Sequence, residues 1–337
     1  MSIRPLYLGV DRQDYSVNWT QREDRRNTVI SAVSSVDNES GYCFGLHLNF
    51  DPNLVADEVE KAAHDAKDYA VFPPFGQHAC VWLQQDYVAS MKKSSMLAAA
   101  TSLRDRVAKA YVQAEALAGV EKIRFFLDQD SGMRAACLPA FAHDIKVDRL
   151  VDAFFVRIAK EMTVDQRCRL KGKAKEALDE FMASSGLKQS EAILAMLKER
   201  LASMATIGSW NDRWVMHPFP DMSEPEEAIS YLTDMGDYDI DHQAWLYNKA
   251  SLHAVDTLFM QIRRRLTLLD RGIHSQGNAG RVWNGYAPYN PKQIGKVLTI
   301  SRAYRNFVLP GVDKKTPAER LGLAKGPVQY EDILYFN

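Results

Sequence analysis

Short alternating apolar runs separated by turn residues fill the first fifty positions, and longer runs at spacings of three and four take over later. Leu6 to Val10 is an apolar run ending at Asp11. Thr28 to Val36 is β-branched and alternating, and Tyr42 to Phe50 follows across Asp37-Asn-Glu-Ser-Gly41. A polar link with a late glycine between two such runs predicts a β-hairpin. Asp51-Pro52 predicts a helix start, with Asp as N-cap and Pro at the first helical position. Helical spacing continues over 54–69, and Phe72-Pro-Pro-Phe75 reads as loop. A second helix is expected from about Ser102 to Ala118, closed by Gly119. Ile123 to Leu127 predicts a buried strand ending in Asp128, and Val151 to Ile158 predicts another. Three strands, two helices and two further strands around a short helix predict an α/β fold, a mixed sheet flanked by helices.

Beyond Thr163 the pattern turns helical and charged as far as Met204, broken at Ser184-Ser-Gly186. The stretch 209–225, with Trp210, Trp214 and three prolines, reads as irregular. One long amphipathic helix is expected from Asp241 to Leu269, because Leu252, Val255, Phe259, Ile262, Leu266 and Leu269 recur at helical spacing. The tail from about Ser275 is turn-rich and then helical from Ile294 to Phe307.

Composition narrows the classes. The 337 residues are 46% hydrophobic and 25% charged, with a net charge of −1. These values fit a soluble globular chain of one large domain with an insertion, or of two domains. No basic excess announces a nucleic-acid partner, so any such role rests on how the charges are distributed. Cys43, Cys80, Cys137 and Cys168 are scattered, which excludes a structural zinc pattern and a disulfide framework and suits a reducing compartment. No apolar run approaches the roughly 20 residues that span a bilayer, and the N-terminal apolar stretch is too short for a signal peptide. A cytoplasmic protein without a membrane partner is expected.

Candidate chemistry lies in three acids. Asp11 and Asp128 stand at expected strand ends, and Asp256 lies beside the apolar stripe of the long helix. Carboxylate oxygens are the ligands Mg²⁺ prefers, and two such ions about 3.5–4 Å apart serve phosphoryl transfer. Among 43 Asp and Glu residues, however, an acid at a strand end is more often a turn former or a solvated group. Spacing alone makes the trio a candidate metal site and no more. Arg263-Arg-Arg265 and the segment 167–175 are the densest basic stretches, each readable as a solvated helix face or as phosphate contacts. Trp210 and Trp214 read as core aromatics, with stacking on unpaired bases as the alternative.

Resemblance adds to this reading. Tyr304-Arg-Asn-Phe-Val308 followed by Lys315-Thr-Pro-Ala-Glu-Arg-Leu-Gly-Leu323 resembles the tail shared by many insertion-element transposases and retroviral-type integrases. Leu8-Gly-Val-Asp11 resembles the first catalytic strand of those DDE-type enzymes, and Phe126-Leu-Asp-Gln-Asp-Ser-Gly132 resembles the second. The stretch Leu252 to Arg265 resembles the third element, an acid (Asp256) followed seven residues on by a basic residue (Arg263). The resemblance implies a ribonuclease-H-like catalytic core, residues 1–162 and 246–274, interrupted by a mostly helical insertion at 163–245 before the last catalytic helix and followed by a tail at 275–337. It further implies Asp11, Asp128 and Asp256 as ligands of two Mg²⁺ ions, which Mn²⁺ can replace, with Arg263 and Arg264 on DNA. The second ligand is Asp128, nearest the strand, or Asp130, which fits the Asp-x-Gly spacing better. The implied reaction is hydrolysis at a transposon end followed by joining to target DNA, by a homo-oligomer assembled on DNA. A nuclease that cuts without joining, and an inactive relative that only binds DNA or a partner, are the alternatives. This sequence departs from the family pattern in having Asp as the third acid and a long separation before it. It also starts ten residues before Asp11, so the helix-turn-helix modules that usually precede the core are expected to be missing and DNA binding to be weak and salt-dependent.

Overall fold

Burial in β1 (Leu6–Val17) is continuous from Leu6 to Val10 and then alternates with period two in the computed structural model. From Asp11 onward, Asp11, Gln13, Tyr15 and Val17 are buried while Arg12 and Asp14 are exposed. The strand expected to end at Asp11 therefore continues to Val17. Polar residues hold its inward positions, which hides the alternation from a hydrophobicity pattern. The structure describes residues 4–17, 28–51, 82–83, 122–158, 162–207, 212–219, 222, 226–270, 273–274, 282–283, 286–288, 290–329 and 331–332. The helices expected at 54–69 and 102–118, the 72–75 loop and Trp210 lie outside the described residues.

The fold is α/β, with a mixed sheet and flanking helices. Its other strands are β2 (Thr28–Asp37), β3 (Cys43–Leu48), β6 (Ile123–Asp128), β7 (Val151–Arg157), β8 (Ala205–Ile207), β9 (Asp212–Met216) and β10 (Ala228–Tyr231), in the order β3-β2-β1-β6-β7-β10-β9-β8. Two short strands, β4 (Phe50–Asp51) and β5 (Trp82–Leu83), pair in parallel apart from it. The chain divides into two compact units, and β1 contributes to both.

The first unit comprises Met1–Gly9, Gly119–Asp130 and Phe141–His253. Strands β6 and β7 pair in parallel, and Phe125, Phe126, Leu127, Ala153, Phe154 and Val156 are all buried. Burial of consecutive residues means that both faces are covered, which is why these strands read as unbroken apolar runs. The short helix expected between them is present as α1 (Ser131–Ala140) and α2 (Ala142–Lys146). Helices α3 (Val164–Ser185) and α4 (Gln189–Ala202) follow, parted at Gly186, whose left-handed backbone (φ 70°) closes α3.

Residues 205–231 then add β8, β9 and β10, with β10 antiparallel to β7. The insertion expected at 163–245 as mostly helical thus also adds three strands to the sheet. These strands are only three to five residues long and are separated by a proline-rich stretch, too short to outweigh the helical pattern before them. Trp214, placed by sequence in an irregular segment, is buried in β9 and stacks on Phe155 (6.2 Å, 5°). The long helix expected from Asp241 to Leu269 is also two helices, α5 (Ile240–Lys249) and α6 (His253–Arg265). Ala250 leaves the helical backbone (ψ 124°), and Ser251 Oγ accepts the His253 amide at 3.0 Å, which supports the restart.

The second unit comprises Val10–Ala118, Ser131–Ala140 and Ala254–Asn337. Strands β2 and β3 form the expected hairpin, and Gly41 takes the positive φ (73°) that its turn requires. Helix α6 buries Val255, Leu258, Phe259 and Ile262, and α7 (Pro291–Phe307) buries Ile294 and Leu298. Helix α8 (Pro317–Leu321) completes the tail.

Candidate active site

The inward face of β1 within the second unit carries a row of polar groups. Asp11 is 5% exposed, Gln13 8% and Tyr15 4%, and a strand's period of two aims all three the same way. Asp11 Oδ1 accepts the Arg12 amide at 2.6 Å. Gln13 Oε1 and Tyr15 Oη are buried without a hydrogen-bond partner. Such atoms are uncommon because desolvation costs more than an ordinary hydrogen bond returns. Burial pushes the Tyr15 hydroxyl above its ordinary pKa, and the Arg263 guanidinium opposes that shift. Arg263 is thus near Tyr15.

Asp256 belongs to the first turn of α6, half-buried, and Arg263 and Arg264 to its last turn, the first half-buried and the second exposed. An acid at a helix N-terminus and cations at its C-terminus also suit the helix dipole, so this charge layout has a stabilising role of its own. Asp11, Asp256, Arg263 and Arg264 all belong to the second unit, whereas Asp128 belongs to the first.

Asp128 is the last residue of β6 and is half-buried. Just beyond it the Gln129 amide donates to the Val156 carbonyl at 3.1 Å, and the Asp130 amide donates to the Asp128 carbonyl at 2.6 Å. Asp130 therefore lies past the strand, and period two does not carry the face of Asp128 to it.

The donors on β1 and α6 are carboxylate and amide oxygens, the chemistry that fits Mg²⁺ or Mn²⁺. Among the described residues, one trio of potential metal-ligand atoms lies within 4.8 Å of one another: His143, Asp144 and Asp148. It has a simpler reading. His143 Nδ1, exposed on α2, pairs with Asp148 Oδ2 just beyond that helix at 3.1 Å, and the Asp144 carbonyl accepts the Leu150 amide as the chain enters β7.

The tail motif has clear structural work. Asn306, 2% exposed, accepts the Cys43 amide through Oδ1 and donates Nδ2 to the Cys43 carbonyl, both at 2.9 Å. A primary amide thereby stands in for a neighbouring strand at β3, the first strand in the sheet order. Thr316 and Glu319 form a reciprocal capping box for α8, and Gly322 closes it in the left-handed region (φ 81°). Arg320 donates to the Ser40 carbonyl at 3.0 Å and to both oxygens of Asp313. Every one of these residues holds the tail in place.

Sequence reasoning missed a polar knot in the first unit. Asp152, 4% exposed in β7, accepts hydrogen bonds from the hydroxyls of Tyr231 and Tyr238 at 3.0 Å each. Lys122 Nζ is 3.5 Å away and Arg124 Nε 3.4 Å, the latter an ion pair not directed as a hydrogen bond. Arg124 also donates to Tyr7 Oη at 3.3 Å. Arg124 and Asp152 are register partners across β6 and β7. The readable signal is one charge inside each of two apolar runs, Ile-Arg-Phe-Phe and Val-Asp-Ala-Phe. Of the basic stretch 167–175, Arg169, Lys173 and Lys175 are exposed on α3, whereas Arg167 is turned onto the carbonyls of Met162 and Met222.

Among the described residues no helix is long and apolar enough to cross a membrane. No protein-family profile, curated protein or solved structure matches this chain.

Proposed function

We propose that this chain is a DNA-cutting and DNA-joining enzyme of the DDE transposase type, built on a ribonuclease-H-like core. The observation that carries the reading is the polar inward face of β1, where Asp11, Gln13 and Tyr15 are buried in a row, with the Arg263 guanidinium acting electrostatically on Tyr15. From Tyr15 back to Asp11 the strand covers about 13 Å. From Arg263 back to Asp256 the helix covers about 10 Å. A helix running in the same direction as the strand would bring Asp256 level with Asp11. Strands β1 and β6 are neighbours, and the Leu6 amide donates to the Lys122 carbonyl as the Ile123 amide donates to Leu150 at the start of the parallel β6–β7 pair. An antiparallel hairpin leading into parallel strands is also the strand pattern that this fold requires.

Asp11, Asp128 and Asp256 would hold two divalent cations. When bound, such ions supply charge stabilisation to the attacking and leaving oxygens of phosphoryl transfer. Arg263 and the exposed Arg264 would place the scissile phosphate, Arg263 by hydrogen bonds that its guanidinium can direct at two oxygens. In the first step one phosphorus–oxygen bond breaks, one forms to a water oxygen, and a 3′-hydroxyl is released. In the second step that 3′-oxygen bonds to a target phosphorus, and a target 3′-hydroxyl leaves.

The test uses the full chain and supercoiled plasmid in Mg²⁺ or Mn²⁺, scored for nicked and joined products. The wild-type protein should produce them, and Asp11→Asn, Asp128→Asn and Asp256→Asn should each reduce the rate by about a hundredfold or more, since ligand loss exceeds the 10–100-fold typical of supporting residues. An Asp256→Asn protein of unchanged activity would remove α6 from the site. DNA binding by all four proteins without cleavage by any would favour a binding-only relative.

A further inference from the structure

We propose that Gln13 is a fourth ligand of this centre, its Oε1 binding the cation held by Asp11. The inference rests on the reading of Asp11 as a metal ligand and adds a residue that the acidic trio leaves out. Gln13 follows Asp11 on the same inward face of β1, with the two Cα atoms about 6.6 Å apart. Two oxygens bound to one Mg²⁺ at 2.0–2.1 Å lie roughly 3 Å from each other. The longer Gln side chain and the shorter Asp side chain can converge over that gap. Gln13 is more than nine-tenths buried, and its Oε1 has no hydrogen-bond partner. A buried carbonyl oxygen left unpaired is costly to the folded chain. A cation beside Asp11 removes that cost, because an amide carbonyl is a hard, neutral oxygen donor of the kind divalent ions accept. Tyr15, the next inward residue, is buried and its hydroxyl lacks a hydrogen-bond partner in the same way, but it lies one strand period further from Asp11 and is acted on by the Arg263 guanidinium.

The experiment measures Mn²⁺ affinity by the electron paramagnetic resonance of the free ion, and thermal unfolding with and without Mg²⁺. Wild type, Gln13→Leu, Gln13→Glu and Asp11→Asn are compared as full chains. Gln13→Leu removes the orphaned atom at similar volume, so without metal it should unfold at the same or a higher temperature. Its Mn²⁺ affinity should fall about tenfold or more, the scale of losing one supporting oxygen. Gln13→Glu buries a charge, so it should be less stable than wild type without metal and should recover on adding Mg²⁺. Asp11→Asn should lose Mn²⁺ binding. Wild-type affinity in Gln13→Leu, with binding lost in Asp11→Asn, would overturn the role of Gln13 and leave the centre standing. Binding kept in Asp11→Asn, or absent from wild type, would overturn both.

Discussion

Replacing Asn306 by Ala removes the side chain that pairs the Cys43 amide and carbonyl, both buried and both at 2.9 Å. Neither group gains water in exchange, because Cys43 and Asn306 are buried together. Each orphaned backbone group costs about 1–3 kcal/mol, so the pair predicts a loss of roughly 2–6 kcal/mol from the second unit. Asn306→Asp is the sharper variant. It keeps an acceptor for the Cys43 amide but sets a carboxylate against the Cys43 carbonyl, so it should not restore stability. Urea unfolding followed by circular dichroism measures the loss, and hydrogen exchange locates it. The Cys43 amide and its neighbours in β2 and β3 should exchange faster, while β6 and β7 stay protected. A loss within the ~0.5 kcal/mol typical of surface substitutions, or unchanged exchange at Cys43, would show that the clamp is decorative.

Two further outcomes follow from the first unit. Asp152→Asn leaves Lys122 and Arg124 facing each other in a buried site and should cost about 3–5 kcal/mol in urea unfolding, whereas Tyr238→Phe removes one hydrogen bond and should cost about 1 kcal/mol; equal losses would mean that the ion pairs carry no weight. Burial holds His217 below its ordinary pKa of 6.5 against the hydrogen bond to Asn248, and burial lowers His242 as well. The unfolded chain therefore takes up these protons first, so stability is fully present above pH 6.5 and declines as pH falls below it. His217→Gln should flatten part of that decline in a pH series of urea midpoints, and a slope unchanged by the substitution would remove His217 as a cause.

The sequence was informative where local rules act alone. Gly41 in the hairpin turn, Gly186 closing α3, and Asp128 ending β6 were all readable, because positive φ and uninterrupted apolar runs leave a direct trace. The eye was misled where polar residues take inward positions. Asp11, Gln13 and Tyr15 continue the β1 alternation without its hydrophobic signature. The break at Ala250-Ser251 was invisible because the apolar residues on its two sides keep helical spacing across it. The strands at 205–231 were hidden by brevity. The candidate site was legible as residue types, and what the sequence could not supply was the neighbourhood. That Arg263 acts on Tyr15, and that Gln13 Oε1 has no hydrogen-bond partner, are facts of packing, as is the meeting of Lys122, Arg124, Tyr231 and Tyr238 around Asp152.

The amide of Asn306 reaches a strand 263 positions earlier in the chain. At 5–20 residues per second, a ribosome needs on the order of 10 to 50 s to travel that distance. Throughout that interval the outer edge of the hairpin has been made and its cover has not. A nascent chain stalled or truncated before the tail would present a bare strand edge to its neighbours, a template for intermolecular pairing. Termination before Asn306 is therefore expected to give insoluble material rather than a soluble, inactive core.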